Sequence, residues 1–563
     1  MKTGIYCLCR DKETIVRLEK ETKRYSFKDI NFITGPDYFT FLRNIIENDE
    51  YDYSLVIHDD VIMPINMLER IESAIKKADA TFGHQKWGVL GNAGISYLNN
   101  EAVTFIRDPH TSLIPYNTVP IPVVHIDGNT LLLNIKNIQC SKVEIPKSLT
   151  GFHLYDFVLV SEMYKKGLVA AIDPSLYVYH KSGGNQKDFD KVKQSLGFTS
   201  YIKDNYINHA FYTINGLVEI ENDIKYLPEP FSNKRSDFYV LIEKVVNKLD
   251  FAKKKKELVI VVRTQLGRLN YLKRLLDSIK MGVATKDNNL SLGVVLSINN
   301  SLLNGKEIDD IYLALIKEYP EINLKLLRQK KVEGYYPRVT SLNNAVEQIE
   351  FKNDSYIWIV DDDDFIFPSA LTTLVPLLQP SSIIIGEAIR FDEKWDSENS
   401  VPSNSKAIND HFNSQYYFKN VFGDNYVPIS AVFYPLDVLK DILSNYELKG
   451  DYYEDYAIFL LAQNLKNTIY YPVKMVGVSY HGKNTVMEKD RSHWDYSLVT
   501  FISEAVNKGI VKKWVYDLCK SREPMEKQLI EYRMRLQRWC HVFKIAKPFI
   551  KLARKFGFLK QAK

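Results

Sequence analysis

Three landmarks occur twice in this chain, in the same order and at nearly the same offset. The first is an apolar strand ending in acids. YDYSLVIHDD places Asp59 and Asp60 after His58, and YIWIVDDDD delivers Asp361, Asp362, Asp363 and Asp364. The second is an acid at the start of an apolar helix, Asp156 in HLYDFVLV and Asp455 in YYEDYAIF. The third is a strand closing on histidine, His180 in LYVYH and His481 in VGVSYH. From Asp60 to Asp363 is 303 residues, from Asp156 to Asp455 is 299, and from His180 to His481 is 301. Order and spacing agreeing together predict a tandem duplication of one unit.

Each unit alternates strands with helices, which predicts an α/β sheet with ligands off the carboxyl ends of its strands. The first unit opens with strands at Gly4–Cys9 and Ile30–Thr34, a helix over 38–47 and the strand before His58. Residues 119–135 read as one strand interrupted at Asp127-Gly128, and residues 176–179 as the strand before His180. The second unit opens with LVIVVRT, a helix over 271–279 and a strand over 292–298 closing on Asn299-Asn300-Ser301. GYYPRVTSLNNAVEQI then leads to the Asp run, and 427–439 is a further strand candidate. The front of the first unit is compressed: Ile5 to Asp60 is 55 residues, whereas Val259 to Asp363 is 104. A chain of 563 residues exceeds one core, and the boundaries fall at 1–205, a connector 206–256, 257–510 and a tail 511–563. Lys253 to Lys256 reads as a solvated linker face; no aromatic stacking pattern accompanies it, so no nucleic-acid partner is expected.

Packed carboxylates at the mouth of a core strand raise one another's pKa unless a cation compensates, and hard divalent cations with oxygen ligands are the usual compensation. Mg2+ or Mn2+ at each acidic turn, with the downstream histidine as a further ligand, neutralises a diphosphate leaving group. Asp156 or Asp455 is then free to abstract a proton, held ionised at a helix N-terminus. That is equipment for moving a group from a nucleotide diphosphate to a hydroxyl. Neither half has GxxxxGK[ST] or a GxGxxG after its first strand, which disfavours P-loop and dinucleotide chemistry. Singly, each landmark has an ordinary reading: a solvated acidic turn, a first-turn acid, a histidine at the edge of the core. Recurrence of all three favours a site.

These residues resemble the inverting family 2 glycosyltransferases of the GT-A fold. The second half is the closer match, over roughly 257–500, through VRTQLGRLNYLKRLLDSI, GYYPRVTSLNNAV, VDDDDF and YYEDYAIFLLA. The resemblance implies Asp361 and Asp363 as the DxD pair, with Asp363 the metal ligand and His481 beside the diphosphate. It implies Asp455 as base, Glu454 as an acceptor-side contact, and Arg263, Asn300, Arg338 and Asp362 on the donor. SINNS departs from the acidic pair many members use for the nucleoside, which leaves nucleotide identity open although UDP-sugars are favoured. The first half, roughly 1–205, resembles a divergent branch. There His58 replaces the first Asp, Asp60 and His180 take the metal positions, Asp59 and Asp127 lie on the donor side, and Asp156 is the base. The resemblance thus implies a bifunctional inverting glycosyltransferase. The alternatives are one active half beside a degenerate carbohydrate-binding half, and a metal-dependent nucleotidyltransferase.

Five cysteines form no disulfide framework, and a reducing compartment is expected. MKTGIYCLCRDKE lacks a signal-peptide core, and no run of about 18 apolar residues exists. From Arg522 to Lys563 there are 12 Lys and Arg against 3 acids, so the tail is strongly basic and the body mildly acidic. On a helical wheel Ile545, Phe549, Leu552, Phe556 and Leu559 fall opposite Lys544, Lys547, Lys551, Arg554 and Lys555, with Pro548 a predicted kink. A basic amphipathic helix suits an anionic membrane surface, and with it a peripheral cytoplasmic location and a lipid-linked glycan acceptor. The alternative is that this helix docks on the chain's own body or pairs copies in a homo-oligomer.

Overall fold

The apolar runs at the head of each half carry branched and aromatic side chains on both faces, so they are stable only with both faces covered, as interior strands of a mostly parallel sheet. In the computed structural model the segments 258–262 and 356–360 are buried at every position. The structure describes residues 2–481 apart from 23–29, 99–101, 108–117, 182–195, 206–209, 221–223, 227–236, 250–255, 285–289, 299–302, 329–336, 350–354, 379–381, 396–401, 409–413, 415–426, 449–453 and a few single positions or pairs; 482–563 lie outside it. Residues 1–489 form one compact unit that contains all the elements below.

The strands in chain order are β1 (Thr3–Cys9), β2 (Ile30–Thr34), β3 (Tyr53–His58), β4 (Val61–Ile62), β5 (Trp87–Gly91), β6 (Ala93–Ser96), β7 (Ala102–Thr104), β8 (Ile106–Arg107), β9 (Ile121–Ile126), β10 (Thr130–Asn134), β11 (Val169–Ile172) and β12 (Val178–His180). After β13 (Ala210–Thr213), β14 (Gly216–Ile220) and β15 (Ile224–Tyr226) come β16 (Lys256–Thr264), β17 (Leu290–Ile298), β18 (Leu324–Leu327), β19 (Tyr356–Asp361), β20 (Phe365–Ile366), β21 (Ser382–Lys394), β22 (Asn404–Ile408), β23 (Val432–Pro435) and β24 (Asn467–Tyr480). Two large sheets result, one with the order β2-β1-β3-β10-β5-β11-β9-β6-β7, the other with β18-β17-β16-β19-β23-β21-β24-β20 and β22 beside β21.

Six consecutive strands of the two sheets run alike. β2, β1 and β3 are parallel, as are β17, β16 and β19. Next to them β10 and β23 are each antiparallel to the acid-bearing strand. The fifth and sixth strands, β5 with β11 and β21 with β24, are parallel to each other. The compressed front of the first half has a structural counterpart. Between its second strand and its acid-bearing strand lies one helix, Tyr38–Asn48, where the second half has helix Gly305–Glu318, edge strand β18 and helix Pro337–Gln348.

Behind each acidic turn a short strand pairs antiparallel with the histidine-bearing strand. Val61 in β4 pairs with His180, and Phe365 in β20 with Gly477. Phe82, Val119 and Pro122 of the first half and Leu377 and Tyr471 of the second line one small, mostly apolar cavity.

The structure departs from the sequence reading in three places. Residues 119–135 are not one interrupted strand: β9 pairs with β6 and β11, whereas β10 pairs with β3 and β5. The Asp127-Gly128 break is therefore a crossing from one part of the sheet to another. Residues 427–439 supply only the four-residue β23, which a 3-10 turn precedes and helix Leu436–Asn445 follows. The strand before His180 begins at Val178, because Asp173 caps a 3-10 turn over Pro174–Leu176. Within 206–256 lie the antiparallel meander β13-β14-β15 and the helix Asp237–Val246, which packs on helix Tyr155–Lys165. Among the described residues no helix is long and apolar enough to cross a membrane, and the basic tail lies outside them.

Candidate functional site

The repeated sheet order carries the repeated landmarks to matching places. In the first half β12 lies beside β4, which sets His180 Nε2 3.2 Å from Asp60 Oδ1. In the second, β24 lies beside β20, and His481 Nε2 is 3.1 Å from Asp363 Oδ2. Lys181 N donates to the Asp60 carbonyl at 3.0 Å and Ser479 N to the Asp364 carboxylate at 3.2 Å, so backbone hydrogen bonds fasten each histidine strand to its acidic turn.

The first-half cluster is larger than the sequence suggested. His58, Asp60 and His180 each offer a ligand atom within 4.8 Å of the others. His58 therefore joins the acid and the histidine instead of standing apart on the donor side. Its Nε2 lies 2.5 Å from the hydroxyl of Tyr155, whose ring stacks on Tyr38 with centroids 4.4 Å apart. Burial keeps the His58 ring neutral, outweighing the neighbouring Asp127 and Asp60. Gly128 lies against Tyr155 so closely that a Cβ there would collide with the phenol. Asp59 is half-buried at the turn, and Asp127 turns its carboxylate to the amide of Asn129 at 3.1 Å.

Tyr155 also starts the helix that carries Asp156. Leu154, at φ 61°, turns the chain into that helix from the left-handed region, which costs a branched residue on the order of 1 kcal/mol. Asp156 accepts the amide of Gly128 at 3.1 Å and that of Phe157 at 2.8 Å. Burial and the Asp127 carboxylate nonetheless push its pKa up to about 7. Asp455, in the first turn of helix Glu454–Leu465, is pushed up to about 6 by burial and by Glu454. Each half thus holds an acid–histidine pair and, in the first turn of a later helix, a carboxyl poised near neutrality.

The second half differs in how its charges are compensated. Asp361 takes two hydrogen bonds from Arg263, at 2.7 and 3.0 Å, and Arg263 reaches on to Glu454 at 2.8 Å. Arg338 lies 3.3 Å from the same Glu454 oxygen. Arg263 is 5% exposed and Glu454 3%. Glu454 is therefore an interior acid that binds two arginines through Oε1, and Arg263 joins the acidic turn to the start of the Asp455 helix. Asp362 is likewise interior, at 1% exposure. It accepts from Thr264 Oγ1 at 2.9 Å and from Arg268 Nη2 at 2.6 Å, so its carboxylate is taken by the protein and not turned to a donor. Asn300, expected on the nucleoside, lies outside the described residues.

Two arginines escaped the sequence reading. Arg268 spans Asp362 and Asp363, the latter at 3.0 Å. Burial alone would raise the pKa of Asp363; its hydrogen bond with His481 and the Arg268 charge outweigh that and hold it below the usual range. Arg274 donates to both Glu393 oxygens at 2.7 Å and to the Asp363 carbonyl at 2.7 Å, bracing the turn from behind. Arg268 and Arg274 flank Tyr271, whose ring lies 4.6 Å from that of His481. The available signal was three arginines and Lys273, counting Arg263, within 12 residues after the first apolar run of a half that places four acids on the adjacent strand.

Two donors bound at about 2.1–2.2 Å and a right angle to one metal lie about 3 Å apart, so both acid–histidine pairs have the spacing of ligands. The first half fits a divalent cation with three donors. The second offers Asp363 and His481, with a guanidinium already against the same carboxylate.

The sequence matches no protein-family profile and no curated protein. Solved structures with some likeness include Staphylococcus aureus TarS 1-349 in complex with UDP-GlcNAc, 16% identical over 42% of this chain and 61% of that one, with a TM-score of 0.28. Another is the mannosyltransferase PcManGT from Pyrobaculum calidifontis in complex with GDP-Man and Mn2+, 14% identical over 46% and 66%, with a TM-score of 0.29. The chain thus spans under two thirds of the length of either. Likenesses this slight carry no argument about what this chain does.

Proposed function

We propose that the chain is a glycosyltransferase with two GT-A-like domains, each moving a sugar from a nucleotide diphosphate donor to a hydroxyl with inversion. The observation that supports this reading is the twofold occurrence of one set: an acid–histidine pair at 3.1–3.2 Å and, in the first turn of a later helix, a carboxyl of raised pKa. A solvated acidic turn has no reason to recur with both partners.

In each half the acceptor hydroxyl attacks the anomeric carbon as the bond to the diphosphate oxygen breaks. Asp156 in the first half and Asp455 in the second take the hydroxyl proton. At pH 7 a carboxyl of pKa about 6 is mostly ionised and still basic enough to accept it. His58, Asp60 and His180 in one half, and Asp363 with His481 in the other, would hold Mn2+ or Mg2+, which when bound supplies positive charge for the leaving diphosphate. Arg263 and Glu454 position the base helix against the acidic turn, and Arg338 is the more exposed arginine of that group.

The domain assignment is 1–205 and 257–510 with a connector 206–256, and a membrane-surface tail from 511. The supporting charge pattern of the tail suits a growing, lipid-linked surface polysaccharide as acceptor and a peripheral place on the inner face of the cell membrane. A panel of nucleotide sugars tested for Mn2+-dependent hydrolysis checks the reading. Hydrolysis that falls in Asp60→Ala and Asp363→Ala, each for its own donor, is expected. Release of pyrophosphate in place of a nucleoside diphosphate would show a nucleotidyltransferase instead.

A further inference from the structure

We propose that His58, Asp60 and His180 form a two-imidazole, one-carboxylate metal site that selects a transition-metal dication such as Mn2+ or Co2+ over Mg2+, and that this is the tighter metal site of the chain. The three side chains come from the end of β3, the turn after it and the end of β12, and their ligand atoms lie within 4.8 Å of one another. The Asp60–His180 separation of 3.2 Å is that of neighbouring ligands on one ion. Two imidazoles favour transition-metal dications, Co2+ and Zn2+ above Mn2+, over Mg2+, which prefers all-oxygen surroundings and gives up its water reluctantly.

The frame around the cluster is rigid. β4 pairs with β12, Lys181 N binds the Asp60 carbonyl, and Tyr155 meets His58 while stacked on Tyr38. A hydrogen bond on the second nitrogen of a ligating imidazole is the usual means of fixing its orientation.

The second half is built differently at the same positions. The sheet register places Arg263 beside Asp361, where the first half has Leu8 beside His58. Asp361, which stands where His58 stands, is held by Arg263 through two hydrogen bonds. Arg268 lies 3.0 Å from the Asp363 oxygen that faces His481. A metal entering there meets a guanidinium on the Asp363 oxygen that faces His481, whereas the first half gathers two imidazoles and a carboxylate within 4.8 Å of one another. The inference takes from the proposed function only the use of a divalent metal. A chain that binds the ion as described and transfers no sugar would sink that function and leave this site standing.

The test uses the full chain, stripped with a chelator and titrated with Mn2+, Co2+ or Mg2+ without any sugar donor. One tight Mn2+ per chain is expected, with a Kd about tenfold or more below that for Mg2+. Electron spin-echo spectra of the bound Mn2+ should show coupling to two imidazole nitrogens, a reading that needs no variant. His58→Ala and His180→Ala should each remove one nitrogen coupling and weaken binding about tenfold or more, read on stripped protein that is still folded by its far-UV circular dichroism. Asp363→Asn should leave the tight site intact. Loss of the tight site in Asp363→Asn, oxygen-only coordination in the wild-type spectrum, or equal affinity for Mg2+ and Mn2+ would overturn the proposal.

Discussion

On the proposed function, Asp156 and Asp455 as proton acceptors with different pKa values give two transfers with different pH profiles. Asp455 titrates at about 6, raised by burial and Glu454, and Asp156 at about 7, raised by burial and Asp127. A general base works ionised, so each rate should climb with pH and level off above its own pKa. At pH 6 about half of Asp455 is ionised but only about one tenth of Asp156, so the first-half transfer should run about fivefold further below its plateau. By pH 8 both carboxyls are at least about nine tenths ionised and the difference vanishes. The assay is the initial rate of nucleoside diphosphate release at saturating donor and acceptor, from pH 5 to 9. Asp156→Asn isolates the second-half transfer and Asp455→Asn the first. Each substitution should also lower its own transfer by about 10²–10⁴ and leave the other in place. Identical half-points in the two variants, or a rate that falls as pH rises through 6 to 7, would refute the assignment of these carboxyls as bases.

Three further outcomes follow from the same geometry. The raised pKa of Asp156 gives the native state stability that is fully present below about pH 4 and lost as pH rises through about 7, so at pH 8 Asp156→Asn should unfold at higher urea than the parent by on the order of 4 kcal/mol, and at pH 4 no differently. Removing Arg263 leaves the interior Glu454 and the half-buried Asp361 without their main counter-charge, and Arg263→Leu should cost about 3–5 kcal/mol, read as a fall of several degrees in Tm. A Cβ at Gly94 would collide with the His125 carbonyl, which is backbone and cannot turn aside, whereas at Gly293 the nearest atom is 3.8 Å away. Gly94→Ala should therefore destabilise by about 1–3 kcal/mol in thermal melts and Gly293→Ala by less than about 1 kcal/mol.

Much of the fold was legible because the strands at the head of each half are buried on both faces and read as continuous apolar runs. LVIVVRT and YIWIV end where β16 and β19 end, give or take a residue. The acid–histidine pairing was legible because it recurs, not because either residue type is informative alone. What could not be read is which strand lies beside which. The run across Asp127-Gly128 has one local pattern yet feeds β9 and β10 to different partners, and that choice is made by β5 and β11. For the same reason Glu454 and Asp362 looked like ligand-facing acids. Their arginine partners, Arg263 and Arg268, are 191 and 94 residues away, and no short-range spacing announces such pairs. His58 was seen as a replacement for an acid, but only the return of His180 along β12 brings a second imidazole and Asp60 into one cluster with it.

The account's central claim is that one chain holds two independent transfer sites, and a complementation assay tests it most directly. Asp156→Asn and Asp455→Asn chains are assayed separately and then mixed, with both products resolved by mass. Each variant alone should form one sugar linkage and not the other, and the mixture should form both. A single substitution that silences both linkages, or a pair of substitutions that silences neither, would contradict it.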